Sequence, residues 1–537
     1  MSQMTFDLLK KHFPYNQMRL EQEIILKKIA EDWETHRFFI ISAPTGVGKS
    51  AIAIAIGNAV VELGKLAAIS TPLKILQKQY SKDFGEEKYN MKEVMGRNNY
   101  LCNNPLGAAH GLTCADGPGF LSKDDCPHCP YVIARNIASQ AQIALLNTTY
   151  YVHTKRSPYF NNRNILIIDE GHTISEELTS LCEVKISNFA LRRAFSDARV
   201  KVPEFKTLDE YDEWLEKVRN ACQKYITNIN TELKEFNVEV ANLAYYKTRC
   251  AELDKFTQLQ TKIARYQEYS EEIEWVWEYV EDKKDDRKTS LVLKPLTTSC
   301  FAHDFLFNGM EKIILMSATF LSKKQTCRDL GIKEDNTMWI DVDSPFPIEN
   351  HKFIRAYAGS LNYKEIDKTL PKLLLIINKL LDIHKEHKGI IHTNSFKIAD
   401  YIEKHIDNDR LLIQKQGEPA SEVLRLHHER EDATVIVSPS MTEGVDLYDD
   451  LSRWQVIVKL PWAFLGDKYV KTKAEKYPDW YSANMVTTFV QAMGRSIRHT
   501  NDWAVTYCTD PSFDYFIGMK AKNEGLLPKH IQKIMKV

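Results

Sequence analysis

The feature that most constrains the fold is a glycine-containing loop between an apolar run and an alanine-rich helical stretch. The apolar run is Phe38-Phe39-Ile40-Ile41, and the loop reads Ala43-Pro44-Thr45-Gly46-Val47-Gly48-Lys49-Ser50. Glycines let backbone N–H groups turn inward around phosphate oxygens, and the helix N-terminus adds partial positive charge. Lys49 can reach the β- and γ-phosphates, and Ser50 can ligate Mg²⁺. The segment predicts a phosphate loop, although Ala43 stands where the general pattern has glycine.

Short apolar runs that end in small or polar residues recur in both halves of the chain. They cover 38–41, 66–69, 143–146, 165–168 and 313–316, and then 389–391, 435–437, 456–458 and 504–507. Alternating with amphipathic helical stretches, such runs are typical of buried strands in parallel sheets. Ligands of open sheets bind beyond the carboxyl ends of the strands, which is where the polar motifs of this chain stand. We therefore predict two parallel α/β sheets with a binding site at their strand ends.

A pair of carboxylates, Asp169 and Glu170, directly follows the apolar run 165–168. Asp169 at a strand end can hold Mg²⁺ through water opposite Ser50, and Glu170 can orient and deprotonate an attacking water. Capping of the next helix would explain two acidic residues, but not the four apolar residues before them. We predict that this pair completes a nucleoside triphosphate site.

Positive charge for the transferred phosphoryl group is available in the segment that begins at Gln491. Arg495 and Arg498 of this segment lie three residues apart, and therefore on one face of a helix. An arginine finger of this type accelerates phosphoryl transfer by ~10³–10⁵. Surface arginines would show the same spacing. Because the segment is far from the phosphate loop, a finger here would build the site between two domains, whose closing and opening is a motor stroke.

Four of the ten cysteines cluster in a segment rich in glycine, proline and asparagine: Cys102, Cys114, Cys126 and Cys129. Clustered thiolates fit either Zn²⁺ or an iron–sulfur cluster, and His110 or His128 could replace a thiolate in a zinc site. Residue chemistry alone slightly favours zinc. The segment has little apolar content, so ligation would have to supply its folding free energy.

The order of these motifs resembles that of superfamily 2 helicases. The phosphate loop, Asp169-Glu170-Gly171-His172, Ser317-Ala318-Thr319 and Gln491-Ala492-Met493-Gly494-Arg495-Ser496-Ile497-Arg498 occur in the helicase order. Other stretches are similar to the XPD/DinG-like branch: 13–22, 96–102, 129–135, 344–346, 442–446 and 459–462. The likeness covers nearly the whole chain and is weakest over 185–290.

This resemblance implies a domain plan of two RecA-like motor domains with two insertions in the first. Residues 1–94, 143–184 and 293–345 would form the first motor domain, 95–142 an iron–sulfur domain, 185–292 a small helical arch-like insertion, and 346–537 the second motor domain. The placement of the four cysteines favours a 4Fe–4S cluster over zinc. The same resemblance places Gln22 near the adenine, adds Gly444 and Asp446 to the ATP site, and makes His172 a link from the γ-phosphate to the nucleic acid.

The implied activity is ATP-driven translocation on single-stranded DNA, most simply 5′ to 3′, with the cluster domain as a wedge at the duplex junction. Small polar groups at strand ends and aromatic rings are the expected contacts to the strand. These are Thr71, Lys74, Gln77, Tyr100, Tyr150, Thr393, Asn394, Ser395 and Trp462.

Composition limits the partners and the location. With 71 basic and 72 acidic side chains the net charge is −1, so any polyanion must bind in a locally basic channel. No apolar run reaches the ~18 residues of a membrane span, and the N-terminus lacks the features of a secretory signal. We expect a cytoplasmic monomer with no membrane partner.

Two other functions are compatible with the sequence. One is a nucleic-acid-stimulated ATPase that remodels protein–nucleic-acid or RNA–DNA structures, with a zinc domain and a protein loader bound at the helical insertion. The other is a silent scaffold, which the presence of Lys49, Asp169, Glu170 and Arg498 disfavours. Phosphate contacts do not distinguish DNA from RNA.

Overall fold

The computed structural model describes residues 3–85, 89–117, 126, 128–155, 157–441, 447, 449–497 and 501–536. Within these ranges the strands are β1 (Phe38–Ser42), β2 (Ala67–Thr71), β3 (Met91–Val94), β4 (Ile143–Asn147), β5 (Ile165–Asp169), β6 (Val184–Ser187), β7 (Trp275–Val280), β8 (Ser290–Pro295), β9 (Lys312–Ser317), β10 (Thr337–Asp341), β11 (His351–Arg355), β12 (Gly389–His392), β13 (Leu411–Ile413), β14 (Val435–Ser438), β15 (Trp454–Ile457) and β16 (Ala504–Cys508).

The α-helices of the same ranges are α1 (Phe6–Lys11), α2 (Leu20–Asp32), α3 (Lys49–Glu62), α4 (Lys74–Phe84), α5 (Pro105–Ala109), α6 (Pro130–Gln140), α7 (Thr148–Thr154), α8 (Ile174–Cys182), α9 (Asn188–Phe195), α10 (Leu208–Glu235), α11 (Leu243–Tyr269), α12 (Ser299–Ala302), α13 (Lys323–Leu330), α14 (Ile366–Ile383), α15 (Phe396–His405), α16 (Ala420–Glu429), α17 (Lys468–Lys476), α18 (Pro478–Met493) and α19 (Lys529–Met535). Two π-helical segments span His303–Phe307 and Asp514–Ala521. In the described part of the chain no helix is both long and apolar enough to cross a bilayer.

Two parallel sheets organise the chain, as predicted. The first has the order β10-β1-β9-β5-β2-β4-β3, and the second the order β11-β16-β15-β12-β14-β13. The chain therefore has the predicted α/β class with two RecA-like sheets.

Helices cover both faces of the first sheet, which explains why its strands read as continuous apolar runs. Along β1, Phe39 and Ile41 pack on one side with α1, α2 and α3. Phe38 and Ile40 point to the opposite side and join the core that continues into the insertion. The alternation follows from the two-residue period of a strand.

The insertion after β5 combines a long helical pair with a small antiparallel sheet. Helices α10 and α11 bury the two predicted apolar stripes, which include Leu215, Cys222, Leu253 and Phe256. The sequence patterns did not predict the sheet β6-β8-β7, which is antiparallel throughout. The charged run 281–287 lies at the connection between β7 and β8.

Strand register brings three motifs to one edge of the first sheet. Ser42 at the end of β1 is in register with Ser317 at the end of β9. On the other side of β9, Asp169 at the end of β5 is in register with Met316. The phosphate loop, the Ser317 motif and the carboxylate pair therefore emerge side by side.

Candidate active site

The phosphate loop connects β1 to α3 through two glycines in the left-handed region. Gly46 and Gly48 have φ of 83° and 85°, which residues with a Cβ rarely adopt. Lys49 begins α3 and is nearly buried. Its Nζ donates to the Ala43 carbonyl at 3.3 Å and lies 3.7 Å from Glu170 Oε1. The lysine thus lies between the loop and the carboxylate pair, where it can reach a triphosphate.

Two side chains from the start of α2 hold the loop in shape. The Gln22 amide donates to the Val47 carbonyl at 2.8 Å, and the Arg19 guanidinium donates to the Gly46 carbonyl. A Cβ at Gly48 would lie 2.5 Å from Gln22 Nε2, so this contact requires glycine. Gln22, predicted to lie near the adenine, thus lies against the phosphate loop.

Asp169 and Glu170 occupy different environments although they are neighbours. Asp169 is buried, and its carboxylate accepts hydrogen bonds from the Tyr80 hydroxyl at 2.9 Å and from the Glu170 N–H at 3.0 Å. Burial, together with the negative charge of Glu170, raises the pKa of Asp169. Glu170 has a left-handed φ of 52°. Its more exposed carboxylate lies between Lys49 and His172.

His172 bridges the two sheets. Its Nδ1 lies 2.7 Å from Ser317 Oγ and 3.5 Å from Glu170 Oε2. Its Nε2 lies 2.9 Å from the amide nitrogen of Gln491, on α18 of the second domain. Because an amide nitrogen only donates, Nε2 accepts and Nδ1 carries the proton. Burial lowers the pKa of His172, which favours this neutral ring.

The cleft beside His172 is lined from both domains. A cavity of about 450 Å³ has Thr319 and Lys294 on one side and Lys473 and Asn484 on the other. Arg495 is half-buried, and its charge acts on the ring of His172. Three further predicted site residues, Gly444, Asp446 and Arg498, lie outside the described residues.

The predicted Mg²⁺ ligands, Ser50 and Asp169, come from two elements that pack together. Ser50 lies in the first turn of α3, and Asp169 ends β5, where its carboxylate accepts from the Tyr80 hydroxyl. A hydroxyl and a carboxylate meeting beside a phosphate loop are oxygen ligands of the kind that Mg²⁺ prefers. The donor set therefore fits this ion.

The four clustered cysteines come near one another at the base of α6. Cys114 Sγ and Cys129 Sγ lie 3.3 Å apart, and Cys126 interacts electrostatically with both Cys129 and Cys102. A Cβ at Gly117 would lie 2.5 Å from Cys102 Sγ. Burial raises the pKa of Cys114 to about 12, so a cation would be needed to stabilise its thiolate. Across the part of the chain that is described, no three His, Cys, Asp or Glu side chains form a metal-binding arrangement.

Three of the predicted strand contacts are buried and serve turns or strands instead. The Gln77 amide donates to the carbonyls of Val94 and Leu145, and its side chain is inaccessible to a ligand. Thr71 and Thr393, both fully buried, close turns through hydrogen bonds to carbonyls two residues ahead. Their interpretation as direct phosphate ligands is corrected, because each hydroxyl or amide already stabilises the end of a strand.

The predicted stacking residues also pack within the protein. Trp462 lies between Tyr481 and Phe516, with ring centroids 4.9 Å from each. Tyr100 and Tyr150 flank Tyr131 in a chain of edge-on aromatic contacts. Because these rings are part-buried and pack against other aromatic rings, they are not freely exposed for stacking on bases.

Three predicted strand contacts remain accessible. Lys74 is exposed at the start of α4, and Ser395 is half-exposed at the N-terminus of α15. Asn394 adopts a left-handed φ of 50° and donates to the Lys459 carbonyl at 2.9 Å. These positions lie beyond the strand ends in both domains.

The sequence patterns missed Tyr80, Arg19 and Phe346 as site residues. Tyr80 lies on the buried face of α4 together with Gln77 and Phe84, a face that helical spacing could have identified. The ring of Phe346, from the segment that joins the two domains, covers Gly46 in the phosphate loop. No local pattern signals that contact, because it joins residues 300 positions apart.

Two family models match the chain. The model described as helicase C-terminal domain matches residues 377–533, and the model described as type III restriction enzyme, res subunit, matches residues 16–196. The two matched regions contain the motifs of the second and the first sheet respectively.

Relatives and solved structures extend the likeness over the whole chain. A probable ATP-dependent helicase of Methanocaldococcus jannaschii is 23% identical, with 97% of this chain and 95% of the relative covered. The ATP-dependent DNA helicase CHL1 of Candida albicans is 22% identical, with 72% and 57% covered. An XPD helicase structure has a TM-score of 0.62 at 16% identity, covering 95% of this chain and 99% of its own. The S. tokodaii Xpd4 structure has a TM-score of 0.56 at 14% identity, covering 95% and 99%.

These matches support the predicted resemblance to the XPD/DinG-like superfamily 2 helicases, and the solved XPD structures share the fold of this chain. Together they support an ATP-dependent helicase as the class of enzyme.

Proposed function

We propose that the protein is a DNA helicase that moves 5′ to 3′ on single-stranded DNA and uses the four-cysteine segment as a structural wedge. The main support for an ATP-driven motor is that His172 contacts Ser317 in one domain and Gln491 in the other. One side chain beside the catalytic carboxylate thereby contacts both sides of the cleft. The alignment to DNA helicase CHL1 supports DNA as the substrate.

Hydrolysis would follow from the groups around Glu170. The loop N–H groups and Lys49 bind the phosphates, and the Glu170 carboxylate, 3.7 Å from Lys49, orients the attacking water and accepts its proton. Mg²⁺, when bound by Ser50 and Asp169, would neutralise charge on the phosphate oxygens. Arg495 acts from the second domain, so the complete site exists only when the cleft is closed.

The state of the nucleotide would be communicated through His172. A proton taken up by Glu170 changes the charge 3.5 Å from His172 Nδ1. The same ring accepts from Gln491 at 2.9 Å, so a change on the first domain alters a contact of the second. Arg328 and Asp479 form a second bridge across the cleft at 2.6 Å. Making and breaking these contacts would convert hydrolysis into relative motion of the domains.

The accessible groups at the strand ends are proposed to hold the strand on both sides of the cleft. Lys74 of the first domain and Ser395 of the second can each contact a phosphate without reading sequence. The 5′ to 3′ direction comes from the resemblance to the XPD/DinG-like branch.

The four-cysteine segment is proposed to hold a 4Fe–4S cluster through Cys102, Cys114, Cys126 and Cys129. The four thiols lie near one another, and a bound cluster would supply rigidity to a segment whose own apolar core is small. The segment is tied to α11 by two contacts: the Tyr246 hydroxyl donates to the Gly117 carbonyl at 3.3 Å, and Lys247 pairs with Asp116 at 3.5 Å. A rigid body fixed in this way could separate a duplex.

Duplexes with single-stranded tails test this function directly. We expect ATP-dependent unwinding of a DNA duplex with a 5′ tail, and none with a 3′ tail or a blunt end. Matched RNA duplexes should be unwound poorly. Unwinding of only 3′-tailed duplexes would refute the direction, and equal unwinding of RNA would refute the DNA preference.

The bridge at His172 gives a separate prediction. Gln491→Ala removes the contact across the cleft but leaves the phosphate loop intact. Loss of one buried hydrogen bond should lower the DNA-stimulated ATPase kcat about 3- to 10-fold, with little change in ATP affinity. The control is Asn484→Ala, two turns earlier on α18 and also beside the cleft. Stimulated rates that are the same for both variants and the wild type would contradict the coupling role.

A further inference from the structure

Tyr80 is a buried tyrosine that holds one of the two predicted Mg²⁺ ligands. Its ring is on α4 and only 2% exposed, and its hydroxyl donates to Asp169 Oδ2 at 2.9 Å. Asp169 is at the end of β5, so a side chain from a different element fixes this carboxylate.

The chemistry of these groups fixes the direction of the hydrogen bond. An ionised carboxylate only accepts, so the Tyr80 proton goes to Asp169. The two oxygens of a carboxylate together offer about four lone-pair sites, so those that accept no hydrogen bond remain available for a cation.

Both partners of this hydrogen bond, the Tyr80 ring and the Asp169 carboxylate, are held in place. The Tyr80 ring packs against Phe84 with centroids 5.9 Å apart, and burial prevents it from turning to solvent. The other oxygen of Asp169 accepts from the Glu170 N–H at 3.0 Å. With one donor on each oxygen, the carboxylate has a single orientation before any nucleotide is present.

We propose that Tyr80 is a positioning residue for the binding of Mg²⁺ with the nucleotide. Its hydroxyl orients the Asp169 carboxylate, and it acts on the cation through that carboxylate. This inference rests on the proposed function, in which Ser50 and Asp169 hold the Mg²⁺ that accompanies ATP. Loss of the hydroxyl should affect only that part of nucleotide affinity which depends on Mg²⁺.

The test is nucleotide binding by the full chain carrying Tyr80→Phe, which keeps the packed ring. A fluorescent ADP analogue is titrated once with EDTA and once with Mg²⁺. In EDTA the variant should bind as the wild type does. The gain in affinity on adding Mg²⁺ should be about tenfold smaller in the variant, as expected for one hydrogen bond in a charged site. Mn²⁺ binding in the presence of ADP, measured by electron paramagnetic resonance, should weaken by the same factor.

The matched control is Tyr151→Phe, which removes a fully buried phenol elsewhere in the first domain. Among the described residues the Tyr151 hydroxyl donates to Met310 Sδ, at 3.9 Å and far from the ATP site, so this variant should match the wild type in both titrations. The role of Tyr80 is overturned if Tyr80→Phe shows the full gain from Mg²⁺, or if it loses equal affinity with EDTA and with Mg²⁺. No gain from Mg²⁺ in the wild type would instead contradict the proposed ATP site.

Discussion

Replacing Glu170 with glutamine should lower the ATPase kcat by ~10²–10⁴. Glutamine keeps the shape of the side chain but cannot accept a proton from the attacking water. Because Lys49 and the loop N–H groups are unchanged, the affinity for ATP should remain within about twofold of the wild type. Steady-state hydrolysis and equilibrium binding of a fluorescent ATP analogue measure the two quantities separately.

The control for this variant is Glu176→Gln, in the first turn of α8. Glu176 is an exposed acidic residue close to the site, and its replacement makes the same change of charge. It should leave hydrolysis near the wild-type rate. If Glu170→Gln kept the wild-type kcat, the proton acceptor would have to be another group, and the assignment of Glu170 would be wrong.

Replacing Cys126 with serine should abolish unwinding while much of the ATPase stimulated by single-stranded DNA remains. The four-cysteine segment lies outside both motor sheets, and ligation is proposed to supply its folding free energy. Loss of one ligand would therefore remove the wedge but not the ATP site. Unwinding of a 5′-tailed duplex and hydrolysis on the unpaired strand are compared in one preparation.

Cys300→Ser is the matched control, because Cys300 is a half-buried thiol outside the cluster. It should retain both activities. Metal analysis of the wild type should find iron and acid-labile sulfide, and both should fall in Cys126→Ser. Equal loss of unwinding and hydrolysis would contradict the wedge role, and zinc without iron would contradict the cluster type.

The central strands of both sheets were predictable from the sequence, but several strands at the edges of the sheets were not. Runs such as 165–168 are apolar throughout because helices cover both faces of their sheet. Strand β3, at the sheet edge, reads Met91-Lys92-Glu93-Val94 and has polar residues at its centre. Its pairing with β4 depends on tertiary context more than on its own composition. The sheet β6-β8-β7 was missed for a related reason, since its strands lie within a charged and mainly helical region.

The core of the ATP site was predictable because its chemistry is local. The phosphate loop and the carboxylate pair are contiguous residues at strand ends, and their spacing already indicates the reaction. The contact between Tyr80 and Asp169 joins residues that are distant in sequence, so no spacing reveals it. Gln77 illustrates the reverse case, in which a local pattern suggests a site that the tertiary structure uses otherwise. It follows a strand and was predicted to contact nucleic acid, but its amide donates to two buried carbonyls.

The most direct test of the central claim is the ATPase rate of the wild-type chain as single-stranded DNA is added. If the site is built across a cleft that also holds the strand, DNA should raise kcat, and the Gln491→Ala variant should respond less. A rate that is high without nucleic acid and unchanged by adding DNA would contradict a motor whose ATP site communicates with a bound strand.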